Sequence, residues 1–385
     1  MLYQLPPAGH TISLTTGAQT DLSPAEIFRP YEAEFYHSGT AALATAIMAA
    51  IRLKVVDSPE VILPAYGCPD LISAVLYAGA RPVLVDLEPQ RPWMDLELLA
   101  SSVSSQTVAI IAASLFGIQE RMPAIKTIAE RSSVVLIEDS AQAFPTDGMA
   151  SFWTGDLVVI SFGRGKPVSL LGGGAVLCQD DRFRGLLPEC RPDSPAPALA
   201  RVTLRLKARL YNLMSSAYVY WMPAGLPFLH LGETRYHPLT SIRCMDNARL
   251  ELLAANTEAY RRRSLHVQAA LAGLVGELAT RSGSVVDLPA VCNLPASHAL
   301  LRYPLLVEPV IRDRVYNRLR REGLGVSRMY PAALSGIAGL EEYLGVAGIS
   351  PVAQNFAARV LTRPVHERVR AVDIRRIASC LESIA

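Results

Sequence analysis

Several features that mark specialised protein classes are scarce in this sequence. The 385 residues carry a formal net charge of only +2, so no excess of basic residues points to nucleic acid as a partner. No apolar run approaches the ~20 residues that a helix needs to span a bilayer. The N-terminal segment lacks the charged and apolar regions of a signal peptide. We therefore expect a cytoplasmic protein that does not bind nucleic acid.

Cysteines are few and scattered. The six cysteines are Cys68, Cys178, Cys190, Cys244, Cys292 and Cys380, and no two of them form a CxxC pair. Such spacing fits neither a zinc site nor a disulfide framework, so we predict free thiols and no metal. A GxGxxG motif after the first predicted strand is also absent, which argues against a dinucleotide-binding enzyme.

The sequence does have the composition of a well-buried globular protein, with 50% apolar and 19% charged residues. From about residue 40 to 180, helical patterns alternate with short, nearly unbroken runs of Val, Ile and Leu. The runs are Val61 to Leu63, Pro82 to Val85, Val108 to Ala113, Val134 to Ile137 and Leu157 to Ile160. Strands buried on both faces have this composition, so we predict an α/β fold with a mostly parallel sheet flanked by helices.

The later part of the chain has a different organisation. The stretch at about 184–240 interrupts the alternation and is predicted to be an insertion. A long helical pattern resumes at Met245, and the remainder alternates strand and helix patterns as a smaller α+β unit. We place the large domain at 1–244 and the small C-terminal domain at 245–385.

The first candidate site lies at Ser38-Gly39-Thr40, where a short extended run enters an amphipathic helix. The N–H groups at a helix start, beside small hydroxyl residues, can bind a phosphate. The alternative is a helix cap by Ser38 or Thr40 with no ligand.

The second candidate is Asp139, which follows the apolar run that ends at Ile137. Ligands of open α/β sheets bind at the carboxyl ends of strands. A buried carboxylate there is costly unless a cation partners it, and a protonated pyridine nitrogen is such a cation. The alternative is again a helix cap.

The third candidate is Lys166, which follows the run Leu157 to Ile160 and lies close to Gly163, Gly165 and the trio at 172–174. A lysine held in a cleft can lose its charge and form a Schiff base with an aldehyde. The alternative is a solvated lysine on a surface loop.

The order of these motifs resembles the DegT/DnrJ/EryC1/StrS family of sugar aminotransferases. The resemblance rests on Ser38-Gly39-Thr40, then Asp139-x-x-Gln142, then Ser161-Phe162-x-x-x-Lys166 and the glycine-rich turn. It covers about 35–180 and the 245–265 helix, and it is weaker over 300–385. It implies the pyridoxal 5′-phosphate (PLP) fold of type I, with a seven-stranded type of sheet, and a homodimer.

The resemblance also implies roles for individual residues. Lys166 matches the lysine that carries the cofactor and transfers protons, and Asp139 matches the acid on the pyridine nitrogen. Gln142 matches the residue near the ring hydroxyl. The phosphate cradle corresponds to Gly39, Thr40 and Ser161. The implied function is transfer of an amino group from an amino acid such as glutamate to a keto sugar, nucleotide-linked, in surface polysaccharide or secondary-metabolite synthesis.

Three positions depart from the family pattern. Cys68 occupies the position of an aromatic residue that stacks on the cofactor, while Tyr66 lies two residues earlier, and the sequence does not decide which of them covers the ring. Ser241 replaces an asparagine in a stretch that the partner subunit contributes. No histidine follows Tyr330-Pro331. These departures keep open a regulatory or degenerate PLP-binding protein; a sugar dehydratase is disfavoured because that branch replaces the lysine with histidine.

Residues 201–222 have no place in this scheme. Arg201, Arg205, Lys207 and Arg209 are interspersed with leucines, and an aromatic cluster follows. A basic amphipathic helix of this kind can lie on an anionic membrane surface. From the sequence alone we favour the alternative, an insertion that lines the active site or widens a dimer interface.

Overall fold

The structure is a computed structural model that describes residues 3–15, 24–147, 149, 151–183, 185–190, 196–226, 233–344 and 350–382. Its strands are β1 (Glu32–Tyr36), β2 (Glu60–Pro64), β3 (Arg81–Val85), β4 (Thr107–Ala113), β5 (Val135–Asp139), β6 (Leu157–Ser161), β7 (Gly174–Cys178), β8 (Val285–Asp287), β9 (Arg302–Val307) and β10 (Val360–Pro364).

The α-helices fall in three stretches of the chain. Those of the first stretch are α1 (Gly39–Leu53), α2 (Asp70–Tyr77), α3 (Leu96–Ser102) and α4 (Met122–Arg131). The middle stretch contains α5 (Ala198–Met214), α6 (Trp221–Ala224), α7 (Asn247–Arg261) and α8 (His266–Ser282). The last stretch contains α9 (Leu288–Val291), α10 (Pro309–Arg321), α11 (Glu341–Leu344), α12 (Pro351–Arg359) and α13 (Ala371–Glu382).

Strands β1 to β7 form one seven-stranded sheet in the order β1-β7-β6-β5-β4-β2-β3. Only β7 runs against its neighbours; the other six strands are parallel. Strands β2, β4, β6 and β7 are buried along their whole length. The predicted α/β fold with a mostly parallel sheet is therefore confirmed, and the Val/Ile/Leu runs have the two-sided burial that their composition predicts.

A second, three-stranded antiparallel sheet has the order β10-β9-β8. Its core also takes in Leu5 from the N-terminal segment. The N–H of Leu5 donates to the carbonyl of Gly323, and the hydroxyl of Tyr3 donates to Asp373 at 2.6 Å. The start of the chain therefore packs on the C-terminal unit, although the sequence prediction grouped it with the large domain.

The long helical pattern after Met245 forms two helices rather than one, α7 and α8, with the break at 262–265. Helix α7 packs in the same apolar cluster as residues of β1, β6 and β7. The domain boundary near residue 245 stays a prediction. Among the described residues, no helix is long and apolar enough to cross a membrane.

The prediction that all six cysteines are free is wrong for two of them, because Cys190 and Cys244 form a disulfide. They are 54 residues apart in sequence, and their Cα atoms are 5.0 Å apart. Both segments lie along β1: the N–H of Cys190 donates to Glu34, and Cys244 pairs with Tyr36. Sequence spacing could not reveal this pair, since β1 brings the two segments together.

Candidate active site

The candidate site is a cavity at the carboxyl ends of β4, β5 and β6, beside the N-terminal ends of α1 and α2. All seven predicted site residues border it, together with Asp70 and Ser114. The seven are Gly39, Thr40, Cys68, Asp139, Gln142, Ser161 and Lys166. They come from four separate segments of the chain, and the parallel sheet brings them together because its strands end at one edge.

The N-terminus of α1 lies directly against the end of β6. A Cβ atom placed on Gly39 would lie 2.7 Å from the Cβ of Ser161, so only glycine allows this approach. Ser38 caps the helix, since its Oγ accepts a hydrogen bond from the N–H of Ala41 at 3.1 Å. Ser38 is therefore a helix cap, and Gly39 leaves space at the helix start; phosphate binding at this position stays a prediction.

Thr40 has a partner that the sequence motif did not reveal. Its hydroxyl donates to the carboxylate of Asp70 at 3.2 Å, at the start of α2. Asp70 borders the cavity. Sequence reasoning missed this acid because it begins a predicted helix, where an acidic residue is ordinary.

Asp139 ends β5 and is half-buried at the cavity. Its Oδ1 accepts a hydrogen bond from the N–H of Ala141 at 3.0 Å. Burial raises the pKa of Asp139, and the nearby charge of Lys166 opposes that shift. A cation placed against this carboxylate would favour its ionised form.

Lys166 lies at the end of a tight turn, which is closed by a hydrogen bond from its N–H to the carbonyl of Gly163 at 3.3 Å. Its side chain is half-buried and borders the cavity, so it is not a solvated lysine on a surface loop. Lys166 interacts electrostatically with both Asp139 and Cys68. The structure thus brings the predicted amine and the predicted acid to one cavity.

Gln142 is 5% exposed and held at both ends of its amide. Its Oε1 accepts from the N–H of Phe116 at 2.9 Å, and its Nε2 donates to the hydroxyl of Tyr330 at 3.1 Å. Tyr330 in turn lies near the thiol of Cys68 and interacts with it. This chain of contacts links the large sheet to the C-terminal part of the molecule.

The structure separates Cys68 from Tyr66. Cys68 borders the cavity, whereas the side chain of Tyr66 is fully buried. The ring centroids of Tyr66 and Phe356 are 4.9 Å apart. The hydroxyl of Tyr66 donates to the carbonyl of Tyr330 at 3.0 Å. Burial and Asp70 raise the pKa of the Cys68 thiol to about 12, so the thiol stays protonated.

The cavity also contains a polar atom whose partner is missing. The Oγ of Ser114 is buried and has no hydrogen-bond partner among the described residues, and Ser114 borders the cavity. Because buried hydroxyls are normally paired, this atom is a position for a ligand contact. Ser114 directly follows β4, just as Asp139 ends β5. The rule that ligands bind at the carboxyl ends of strands, which selected Asp139, could therefore have found Ser114 as well.

These residues fit PLP, the cofactor that the motifs imply. An amine and an acid border one cavity, glycine leaves room at a helix start that can bind phosphate, and an unpaired hydroxyl borders the same space. Among the described residues, no cluster of three or more His, Cys, Asp or Glu could hold a metal ion.

Comparisons with known proteins find relatives that are named as sugar aminotransferases. The family model of the DegT/DnrJ/EryC1/StrS aminotransferases matches residues 32–188. A UDP-N-acetyl-3-dehydro-alpha-D-glucosamine 3-aminotransferase of Acidithiobacillus ferrooxidans is 27% identical, over 89% of this chain and 82% of the relative.

Two solved structures share the fold across nearly the whole chain. Helicobacter pylori PseC, an aminotransferase of pseudoaminic acid biosynthesis, superposes with a TM-score of 0.74 at 14% identity over 99% of this chain and 98% of its own. A putative sugar aminotransferase of Streptococcus pneumoniae, solved in its PLP form, gives 0.70 at 17% identity with the same coverage. Residues 32–188 therefore match the DegT/DnrJ/EryC1/StrS aminotransferase family, whose cofactor is PLP.

Proposed function

We propose that this protein transfers an amino group from an amino acid, glutamate, to the ketone of a nucleotide-linked sugar. The observation that carries the proposal is the meeting of Lys166 and Asp139 in one cavity beside the N-terminus of α1. The Acidithiobacillus relative, similar over most of both chains, is named for a nucleotide-linked acceptor of this kind. The product class is an amino sugar for surface polysaccharide or a secondary metabolite.

Lys166 is the proposed catalytic residue. When bound, PLP supplies an aldehyde for the amino group and a ring that accepts the electrons left when a carbon loses its proton. The amine of Lys166 would hold the cofactor. Its Nζ, once free, takes a proton from the α carbon of the donor and later delivers one to the carbon of the acceptor.

Asp139 is proposed to hold a proton on the ring nitrogen. Burial raises the pKa of Asp139 because the carboxylate is poorly solvated there. A cation that lies against the carboxylate would offset this cost. Gly39, Thr40 and Ser161 are proposed to bind the phosphate, where the helix start favours an anion. Gln142 is fixed at both ends and would orient the ring hydroxyl.

Cys68 is proposed to cover the face of the ring in place of the usual aromatic residue. It borders the cavity, while Tyr66 is packed away from it. A protonated thiol is small and apolar, so we expect it to leave more space above the ring than an aromatic side chain would.

The test uses purified enzyme loaded with PLP. On addition of glutamate, the absorbance of the lysine-bound cofactor should be lost, and mass spectrometry should find 2-oxoglutarate. Nucleotide-linked keto sugars added next should be aminated with return of the original spectrum. Lys166→Ala is the control and should do neither. An enzyme that keeps its spectrum with every amino donor would instead be a regulatory or degenerate member of the family.

We also propose a homodimer. Its support is the family resemblance at Ser241 to Met245, a stretch that family members lend to the partner's site. Here the stretch runs along β1 of its own chain, where the N–H of His37 donates to the carbonyl of Arg243, and the Arg243 side chain is exposed. Light scattering should give twice the chain mass; a mass of one chain would exclude the dimer.

A cytoplasmic location is proposed from the sequence, and the Cys190–Cys244 bond makes it testable. Disulfides are rare in the reducing cytosol. Thiol alkylation of whole cells before lysis, followed by peptide mass spectrometry, should therefore label both cysteines in the cell and neither in oxidised purified protein. A bond already complete in the cell would contradict the cytoplasmic location.

A further inference from the structure

Helix α5 carries an exposed apolar stripe that the proposed reaction does not use. Its members follow one another at intervals of three or four residues, which places them on one face of the helix. They are Leu199, Val202, Leu206, Leu210 and Leu213, each between 54% and 77% exposed. The apolar surface continues past the helix through Tyr218, Trp221 and Met222, which are also exposed.

The opposite face of α5 anchors the helix to the protein. Leu204 and Ala208 are buried there, and Leu204 packs in a cluster with residues of α7. Arg201 forms an ion pair with Glu251 at 2.7 Å. The side chain of Asn212 bonds both the N–H and the carbonyl of Ile12. The stripe is thus held facing outward by contacts on the far side of the helix.

Cations flank the stripe on both sides. At 100° per residue, Lys207 lies on one side of the stripe, and Arg205 and Arg209 lie on the other. No Asp or Glu occurs between Asp193 and Glu233. Within the part of the chain that the structure describes, these three cations form no ion pair with a carboxylate, whereas Arg201 does.

A second copy of this chain is a poor partner for the stripe. In a two-fold contact of the stripe with itself, the flanking cations of both copies would be brought together, and no acid of the segment would offset them. A contact with a different patch needs a second apolar surface. Apart from Leu226, which follows α6 in the same segment, the other exposed large apolar side chains of the described residues are dispersed among several elements: Leu53, Val55, Tyr77, Leu98, Val310, Tyr343 and Val372.

We propose that α5 and the segment to Trp221 bind the surface of an anionic lipid bilayer. The apolar stripe enters the boundary between head groups and acyl chains, the flanking cations meet the lipid phosphates, and Trp221 lies at the level of the head groups. The inference goes beyond the proposed aminotransferase activity and does not depend on it. It reverses the preference that the sequence alone gave, because the structure shows the stripe uncovered and outward.

The test is flotation of the whole purified protein with lipid vesicles. The protein should float with phosphatidylcholine vesicles that contain about a third phosphatidylglycerol, and remain at the bottom with phosphatidylcholine alone. High salt should release it, since salt screens exposed charges. Replacing Arg205, Lys207 and Arg209 together with glutamine should weaken partitioning on the order of a hundredfold, at about fivefold for each cation near the surface.

The apolar contribution is tested separately. Leu206→Glu with Leu210→Glu should abolish flotation, whereas the control pair Leu98→Glu with Val310→Glu, also exposed but away from α5, should float like the wild type. Circular dichroism and amine transfer to a soluble acceptor should stay unchanged in both. The proposal is overturned if wild-type protein does not float with anionic vesicles, or if the α5 pair floats as well as the control. Dissociation of a dimer by the α5 pair, without vesicle binding by the wild type, would identify a second copy as the occupant.

Discussion

His366 should make the protein less stable in mild acid. The imidazole is 2% exposed; its Nε2 lies 3.0 Å from the carbonyl oxygen of Pro6, and its Nδ1 accepts from the N–H of Arg368 at 3.3 Å. One ring nitrogen facing a carbonyl and the other facing an N–H is the pattern of a neutral imidazole. Burial lowers the pKa of His366 to about 4, and the nearby His10 adds to that shift while Glu367 opposes it.

The sign and size of the change in stability follow from the difference in proton binding between the unfolded and the folded chain. Between the folded pKa of about 4 and the ordinary value of 6.5, the unfolded chain binds more protons than the folded one, so stability falls as the pH falls through that range. Lowering the pH from about 7.5 to about 5 should therefore remove about 2 kcal/mol of unfolding free energy. Because Nδ1 accepts from the N–H of Arg368, a proton on Nδ1 should break that contact, whereas the contact of Nε2 with the Pro6 carbonyl should persist.

Urea unfolding at the two pH values measures this. Other buried groups titrate in the same range, so the comparison is between wild type and His366→Gln, which keeps a donor and an acceptor but no titrating ring. The wild type should lose about 2 kcal/mol more than the variant between the two pH values. His237→Gln, at an exposed histidine, is the control and should behave like wild type. Equal pH dependence in wild type and His366→Gln would refute the reasoning.

Three further predictions concern the site. Asp139→Asn keeps the shape of the side chain but not its charge, and should slow amine transfer at least about a hundredfold in a coupled assay; a variant within about threefold of wild type would exclude the proposed role. Gly39→Ala puts a Cβ 2.7 Å from that of Ser161 and should weaken PLP binding about tenfold by titration. Gly276→Ala, whose new Cβ would have no atom of the described residues within 4 Å, should bind PLP normally. Gln142→Leu leaves the N–H of Phe116 and the hydroxyl of Tyr330 unpaired and should cost about 1–3 kcal/mol in chemical unfolding; unchanged stability would mean that these bonds are not formed.

The strands of the large sheet were predictable because burial on both faces requires nearly continuous apolar runs. The run Val108 to Ala113 lies within β4, and Leu157 to Ile160 lies within β6. The antiparallel β7 was not predicted. Its Gly174 packs closely against the backbone of Gly39. The glycine-rich start of this strand has the composition of a turn, so the sequence did not indicate a strand.

The sequence by itself determined the α/β fold and the order of the chemical groups, because each motif is local: an apolar strand followed within a few residues by an acid, a lysine or a helix start. Only the tertiary structure decided which groups meet. It brought Asp70 within hydrogen-bonding distance of Thr40, and it joined Cys190 to Cys244 in a disulfide. It also placed Cys68 at the cavity and Tyr66 away from it. It also showed which face of α5 is uncovered. These outcomes depend on how distant segments pack, and no periodicity within a single segment encodes that.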